Sequence, residues 1–194
     1  MESTANRHVT LYTEANPNPN SLKFVSNHML VAEGQDHDFA DAAAAAASPL
    51  AQELLTLPYV ERVFFMNNFV TVTKSADVAW EEVKGEIQRR IVAFLEQDRP
   101  VVRAEEVTYE EDFAPEDSEK VTLIKGALDE YVRPAVEMDG GAINFRSYHD
   151  GVVKVELRGA CSGCPSSTMT LKAGIENLLK RMVPDVREVV AEGV

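Results

Sequence analysis

The chain is organised around the stretch Gly159-Ala160-Cys161-Ser162-Gly163-Cys164-Pro165-Ser166-Ser167-Thr168, which holds both of its cysteines. Two thiolates separated by two residues can bind one metal centre or close into a small disulfide ring. Gly159 and Gly163 leave room for the backbone to curl and for a large cofactor to approach. Pro165 suits the first position of a helix, whose positive end would favour thiolate at Cys164. The stretch therefore predicts a loop that presents two thiolates and runs into a helix.

Around this loop, residues 119–194 have the pattern of a small domain. Two alternating runs flank Asp150-Gly151, a dipeptide typical of two-residue hairpin turns. A helix is predicted over 119–132, where Arg133-Pro134 ends or kinks it, and a turn follows at Asp139-Gly140-Gly141. Strands are predicted over 142–149, 152–158 and 186–191. Between the last two strands a helix runs from Pro165 to about Met182, and its predicted buried residues are Leu171, Ile175, Leu178 and Met182. Tyr131 is placed on the apolar face of the first of these helices. His149 is interpreted as exposed and without a role.

Residues 1–98 predict a second small domain of the order strand-strand-helix-strand-strand-helix. The predicted elements are strands over 9–14 and 21–26, a helix over the alanine-rich Phe39–Ala47, a helix capped by Ser48 and running to Leu57, a hairpin of 60–66 and 69–74 around Asn67-Asn68, and an amphipathic helix over 78–96. Asp36-His37-Asp38 is interpreted as a solvated loop. Adjacent residues of a loop rarely converge on one metal ion without further ligands.

The stretch between the two domains is acidic. Residues 105–119 carry eight acidic side chains and no basic one, in a chain of net charge −13. Such a run repels itself and predicts an extended linker, over residues 99–118. The fold class is therefore predicted to be α+β, with two small α/β-type domains. Each is a short, mostly antiparallel sheet with hairpins packed against helices, and the acidic linker joins them.

Composition narrows the classes of function and location. The acidity argues against direct nucleic-acid binding, since phosphate contacts require Lys and Arg. No apolar run approaches the roughly 20 residues that a membrane span needs. The first residues lack the hydrophobic core of a secretory signal and are a poor transit peptide. We therefore expect a cytoplasmic protein, whose two cysteines serve metal or redox chemistry rather than a structural disulfide.

Two cysteines leave three kinds of chemistry open. An iron–sulfur cluster takes four cysteine ligands, which two copies of the chain would supply across a two-fold axis. The same dimer could hold one zinc ion with four thiolates. A single chain could instead perform thiol–disulfide exchange, although such motifs usually occur in a strand-helix unit of a parallel sheet, whereas here the motif follows a hairpin. The spacing alone does not separate these three.

The residues around the cysteines resemble the C-terminal domain of NifU, known as the Nfu domain. The resemblance rests on Asp139-Gly140-Gly141, on the hairpin around Asp150-Gly151, and on the run from Gly159 to Ser167. Residues 18–24, 48–51 and 63–74 resemble the N-terminal domain of Nfu proteins. Ala142 departs from the pattern, because the family commonly has an acidic residue after the glycine pair.

The resemblance implies an iron–sulfur cluster scaffold or carrier without catalytic turnover. It implies that Cys161 and Cys164 bind a labile 4Fe–4S cluster between two Nfu domains, as a homodimer, and that the cluster passes to apo-proteins. An upstream scaffold is a further possible partner under this interpretation. The N-terminal domain contains no cysteine, and the resemblance assigns it to recognition of clients or partners.

Overall fold

The structure is a computed structural model that describes residues 8–103, 110–162 and 165–193, with the backbone alone for 165–167. The chain divides into two compact units, Met1–Glu106 and Val107–Val194. Each unit combines one sheet with helices, which confirms the predicted α+β class of two small α/β-type domains. Among the described helices, none has the length and apolar character required to cross a membrane.

The first unit is a five-stranded antiparallel sheet with two α-helices against one face. Its elements are β1 (Leu11–Ala15), β2 (Ser21–Ser26), β3 (Asp36–Phe39), a 3₁₀ turn (Ala44–Ala47), α1 (Pro49–Leu55), β4 (Val60–Met66), β5 (Phe69–Lys74) and α2 (Trp80–Leu95), and the strand order is β1-β2-β5-β4-β3. The predicted apolar stripe of α2 is buried from Val83 to Leu95. Ser48 caps α1 as predicted, because its hydroxyl accepts a hydrogen bond from the Ala51 N–H at 3.1 Å.

Two predictions for residues 34–47 are wrong. The stretch interpreted as a solvated loop forms β3, in which Asp36 and His37 are buried. It pairs with β4, where Arg62 forms an ion pair of 2.9 Å with the almost fully buried carboxylate of Asp38. The alanine-rich run is not an α-helix. Its first residue, Phe39, ends β3, and only a short 3₁₀ turn follows, because strand pairing and packing override the helix propensity of alanine.

The second unit is a four-stranded mixed sheet with helices on one face. Its elements are β6 (Asp112–Phe113), a 3₁₀ turn (Pro115–Asp117), α3 (Ser118–Ala127), a π-helical turn (Leu128–Val132), α4 (Arg133–Met138), β7 (Gly141–His149), β8 (Val152–Gly159), α5 (Pro165–Met182) and β9 (Glu188–Gly193). The strand order is β6-β7-β8-β9. The central pair is the predicted hairpin, whereas β6 and β9 run parallel to their neighbours.

The helices of the second unit differ in detail from the prediction. Pro134 does not end the helix, because the preceding π-helical turn widens the backbone and α4 starts at Arg133, which places the proline in its first turn. Tyr131 and Met182, predicted to be buried, are 54% and 41% exposed. Along α5, Ile175 is buried as predicted, Leu171 and Leu178 are partly buried, and Leu179 is also fully buried.

Both described ends of the predicted linker belong to the units. Val101 is buried in the core of the first unit, and its carbonyl accepts a hydrogen bond of 2.7 Å from the Ser48 hydroxyl. Asp112 and Phe113 form β6, which pairs with Ser147 and Tyr148 of β7. Residues 104–109, the middle of the predicted linker, lie outside the described residues.

Candidate functional site: the cysteine loop

The cysteine loop starts where the β7–β8 hairpin ends. The register of this hairpin places Gly141 opposite Gly159, so that the start of β7 lies beside the residues leading to Cys161. Gly140 and Gly159 have positive φ values of 80° and 67°. A left-handed backbone strains other residues, and glycine is therefore needed both before β7, at Gly140, and at the end of β8, at Gly159. The loop follows as Ala160, Cys161 and Ser162.

Hydrogen bonds to the turn before β7, within the loop and to α5 hold the described part of the loop. The Ala160 N–H donates to the Gly140 carbonyl at 3.2 Å, and the Ser162 N–H donates to the Gly159 carbonyl at 3.0 Å. The Thr168 hydroxyl donates to the Cys161 carbonyl at 3.5 Å. The backbone around Cys161 is thus bonded to the turn before β7 and to the first turns of α5.

The thiol of Cys161 packs against Gly141. Cys161 is 6% exposed and belongs to the hydrophobic core of the second unit. A Cβ atom added to Gly141 would lie 3.0 Å from Cys161 Sγ and 2.5 Å from the Arg158 carbonyl oxygen. The absence of a side chain at Gly141 therefore makes the position of the thiol possible.

The glycine pair has a role beyond the turn that Asp139-Gly140-Gly141 predicted. The Gly140 carbonyl accepts a hydrogen bond from the cysteine loop, and Gly141 contacts the thiol. Only part of the signal was available in the sequence. A two-residue hairpin turn at Asp150-Gly151 sets the register, and counting back along both strands brings Gly141 to Ala160. The pairing shifts by one residue between Phe145 and Ser147, and this shift makes Gly159 the observed partner.

The other predicted site residues are only partly described. Cys164 and Gly163 lie outside the described residues. Pro165 begins α5, as predicted. The helix that follows is long, and Glu176 near its centre accepts a hydrogen bond of 3.1 Å from the Val189 N–H of β9. Hydrogen bonding to Lys180, and then to Val189, lowers the pKa of Glu176 below its ordinary value.

The topology corrects one argument about redox chemistry. The sequence predicted that the cysteine motif lies outside a strand-helix unit of a parallel sheet. The motif in fact joins β8 to α5, and β9 returns parallel to β8. The loop therefore occupies the strand-to-helix connection of a β-α-β unit, and topology does not argue against a redox-active dithiol.

In the described ranges, no group of three or more His, Cys, Asp and Glu side chains is arranged to hold a metal ion. His149 is exposed, as predicted, but it does have a role. Its Nε2 lies 2.9 Å from a carboxylate oxygen of Asp112, a contact that links β7 to β6.

The chain is similar to known proteins in both of its units. A model of the NifU-like domain matches residues 124–190, and a model of the N-terminal domain of the scaffold protein Nfu/NifU matches residues 11–98. An NFU1 iron-sulfur cluster scaffold homolog, mitochondrial, from Drosophila persimilis is 37% identical over 97% of this chain and 67% of its own length. NifU-like protein 4, mitochondrial, from Arabidopsis thaliana is 40% identical over 96% of this chain and 67% of its own length.

Coverage of the relatives is partial. The chain spans between 60% and 67% of the length of such homologs from Drosophila. The solution NMR structure of a NifU-like protein from Saccharomyces cerevisiae is 30% identical and covers 54% of this chain and 92% of that chain, with a TM-score of 0.45.

The comparisons contradict the predicted location. These curated relatives are named as mitochondrial proteins, and the expectation of a cytoplasmic protein is therefore wrong. That expectation rested on the composition of the first residues, which is a weak basis for assigning a compartment.

Proposed function

Because this chain belongs to the Nfu/NifU family of iron–sulfur cluster scaffold proteins, we propose that it binds an iron–sulfur cluster and transfers it to apo-proteins. The observation that carries this proposal is the cysteine loop in its family context. Both cysteines of the chain fall within the stretch matched to the NifU-like domain. Thiolate is the ligand that iron–sulfur clusters prefer.

The cluster is proposed to be a 4Fe–4S cluster held by two chains. One chain offers two thiolates, from Cys161 and Cys164, and such a cluster takes four. Two copies related by a two-fold axis complete the set. The ligands that connect the chains belong to the cluster site itself, and the apo-protein is therefore proposed to be a monomer.

Burial of Cys161 fits a carrier that cycles between empty and loaded states. In the structure Cys161 is 6% exposed and its thiol packs on Gly141. In the proposed loaded state the thiol is turned toward the cluster. Burying the side chain again after release is favourable, and this favours transfer of the cluster to an acceptor.

The first unit is proposed to recognise clients or an upstream scaffold. It contains no cysteine, so it offers no thiolate to iron. It has a complete hydrophobic core and a sheet of its own, as a separate recognition domain requires. The proposed partners are apo iron–sulfur proteins, and the proposed role includes no catalytic turnover.

The test is anaerobic reconstitution with iron and sulfide of the wild-type protein and of a Cys161→Ser, Cys164→Ser double variant. The wild-type protein should gain a broad absorbance band near the visible–ultraviolet boundary and bind both iron and sulfide. The double variant should bind neither and should keep the circular dichroism of the fold. A Ser162→Ala variant, which changes the same loop without removing a thiol, is the matched control. Iron and sulfide bound equally by the double variant would refute the proposal.

One observation favours a second candidate, a thiol–disulfide oxidoreductase. The cysteine motif occupies a strand-to-helix connection of a β-α-β unit, where such dithiols usually occur. In that reaction the two thiols would be oxidised to a disulfide while a substrate disulfide is reduced to two thiols. An insulin-reduction assay distinguishes the candidates, because a carrier leaves insulin intact. Metal analysis of protein purified without air tests the remaining zinc-bridged dimer.

A further inference from the structure

Two exposed methionines lie close in the chain to residues that bond the cysteine loop. Met138 is 67% exposed and Met169 is 76% exposed, and these are the two most exposed large hydrophobic side chains in the described part of the chain. Met138 is the last residue of α4, two residues before Gly140, whose carbonyl bonds the loop. Met169 follows Thr168, whose hydroxyl bonds the carbonyl of Cys161.

The direction of the Met169 side chain adds to this placement. Side chains of an α-helix lean toward the N-terminus of the helix. Met169 lies in the second turn of α5, which begins at Pro165. It therefore leans toward the end of the helix that follows the cysteine motif. Solvent-exposed methionine at a defined site is typical of a surface that adapts to a partner.

We propose that Met138 and Met169 form an apolar rim that packs against the same two residues of a second copy of this chain when the two copies share a cluster. This inference rests on the proposed function and adds the surface through which the copies meet. If the cysteine loops of two copies face each other across a two-fold axis, the residues beside each loop lie close to that axis. Each methionine rim then faces its symmetry mate.

The second copy is favoured over a client as the occupant. The chain has two cysteines, and the partner that brings the other two thiolates must cover the surroundings of the loop for as long as the cluster is held. A client meets this surface only during transfer. The surface area of two side chains is also far smaller than the roughly 800 Å² per partner that a stable interface buries. The rim therefore cannot hold a dimer alone, and it acts together with the cluster.

The rim should slow the loss of the cluster. Apolar side chains packed around a cluster exclude water and chelators from its sulfides and irons, because the surface they cover is removed from solvent. Removing the apolar character of the rim should leave all four thiolates in place. It should weaken the dimer and open the cluster to solvent.

The test uses a Met138→Gln, Met169→Gln double variant of the full chain. Glutamine has a similar length and helix propensity to methionine, but it removes the apolar end of the side chain. Reconstituted protein is studied by sedimentation velocity, and cluster loss is followed by absorbance after adding excess bathophenanthroline disulfonate. We expect the variant to lose its cluster at least about fivefold faster and its dimer to dissociate at about tenfold higher protein concentration than the wild-type dimer.

Two controls separate this inference from general effects. Met182→Gln makes the same change 13 residues further along α5, about 20 Å away at the rise of an α-helix, and should behave like the wild type. Met138→Leu with Met169→Leu keeps the rim apolar and should restore the wild-type lifetime. Equal thermal melting of the apo forms checks that all of these variants fold.

The results that would refute the rim differ from those that would refute the proposed function. If the wild-type protein binds no cluster, the proposed function fails and the rim has no cluster to cover. If the wild-type protein forms the cluster-bound dimer and the glutamine variant matches it in lifetime and dimer dissociation, only the rim is refuted. A variant that keeps both properties but transfers its cluster more slowly to an apo-ferredoxin also refutes the second copy as occupant, and assigns the rim to clients.

Discussion

Replacing Gly141 with alanine should disturb the cysteine loop. The added Cβ would lie 2.5 Å from the Arg158 carbonyl oxygen and 3.0 Å from Cys161 Sγ. Because real Cβ contacts essentially never fall below 3.0 Å, the strand or the loop must move by at least about 0.5 Å. Strain of this kind costs about 1–3 kcal/mol. It outweighs the roughly 0.4–1 kcal/mol that alanine contributes by restricting the unfolded chain.

The measurement is thermal unfolding with two probes. The chain has one tryptophan, Trp80, in the first unit. Its fluorescence follows that unit, whereas far-ultraviolet circular dichroism follows both. A net loss of about 1–2 kcal/mol in a unit of this size lowers its midpoint by about 5–15 °C. We expect this shift in the dichroism transition of the second unit, with the tryptophan transition unchanged.

Gly174→Ala is the matched control for this prediction. Gly174 lies within α5, and a Cβ added there meets no heavy atom within 4 Å. Alanine should therefore stabilise the second unit by about 0.5–1 kcal/mol, through its higher helix propensity. If Gly141→Ala melts at or above the wild-type temperature and retains its cluster as long, the close packing between Gly141 and the thiol does not control the loop.

Two further predictions concern single side chains. In a Cys164→Ser variant, the buried thiol of Cys161 should react with Ellman's reagent at least about tenfold more slowly in the apo form than in urea, and equal rates would show that the thiol is accessible. In the first unit, burial and the hydrogen bond of 2.8 Å to Glu86 raise the pKa of Tyr59 to about 12. The folded state therefore holds this proton more tightly than the unfolded state, so stability should fall as pH rises from about 10 to 12. Tyr59→Phe should remove that part of the pH dependence of the melting temperature, and an unchanged slope would contradict the assignment.

Local turn chemistry was readable from the sequence. Asn67 and Asp150 have positive φ values of 48° and 49°, as the turns of two tight hairpins require. Ser48 caps its helix, and the apolar period of α2 marks its buried side. In each case the signal lies within a few residues of the structure it determines.

Features that depend on distant residues were not readable. The strand β3 contains Asp36-His37-Asp38, a poor strand sequence, and it pairs with β4, whose Arg62 forms an ion pair with the buried carboxylate of Asp38. β6 has two residues and exists through its parallel pairing with β7. The propensities of the segments themselves carry no information about either partner.

Part of the candidate site could likewise be predicted from the sequence, and part could not. The cysteine spacing and the Gly/Pro setting predicted a thiolate loop before a helix, and α5 does begin at Pro165. Burial of Cys161 against Gly141 was not predicted, because it requires the hairpin register and the direction of the thiol together. The π-helical turn before Arg133 was also missed, since a proline in a helix is normally taken as its end.

Native mass spectrometry of anaerobically reconstituted protein tests the central claim most directly. We predict one species that contains two chains, four irons and four sulfides, and we predict that it is absent from the Cys161→Ser, Cys164→Ser variant. A cluster held by one chain would contradict the shared site. A single chain that carries no metal and has lost the mass of two hydrogens, as an internal disulfide requires, would contradict the cluster itself and support the dithiol reaction.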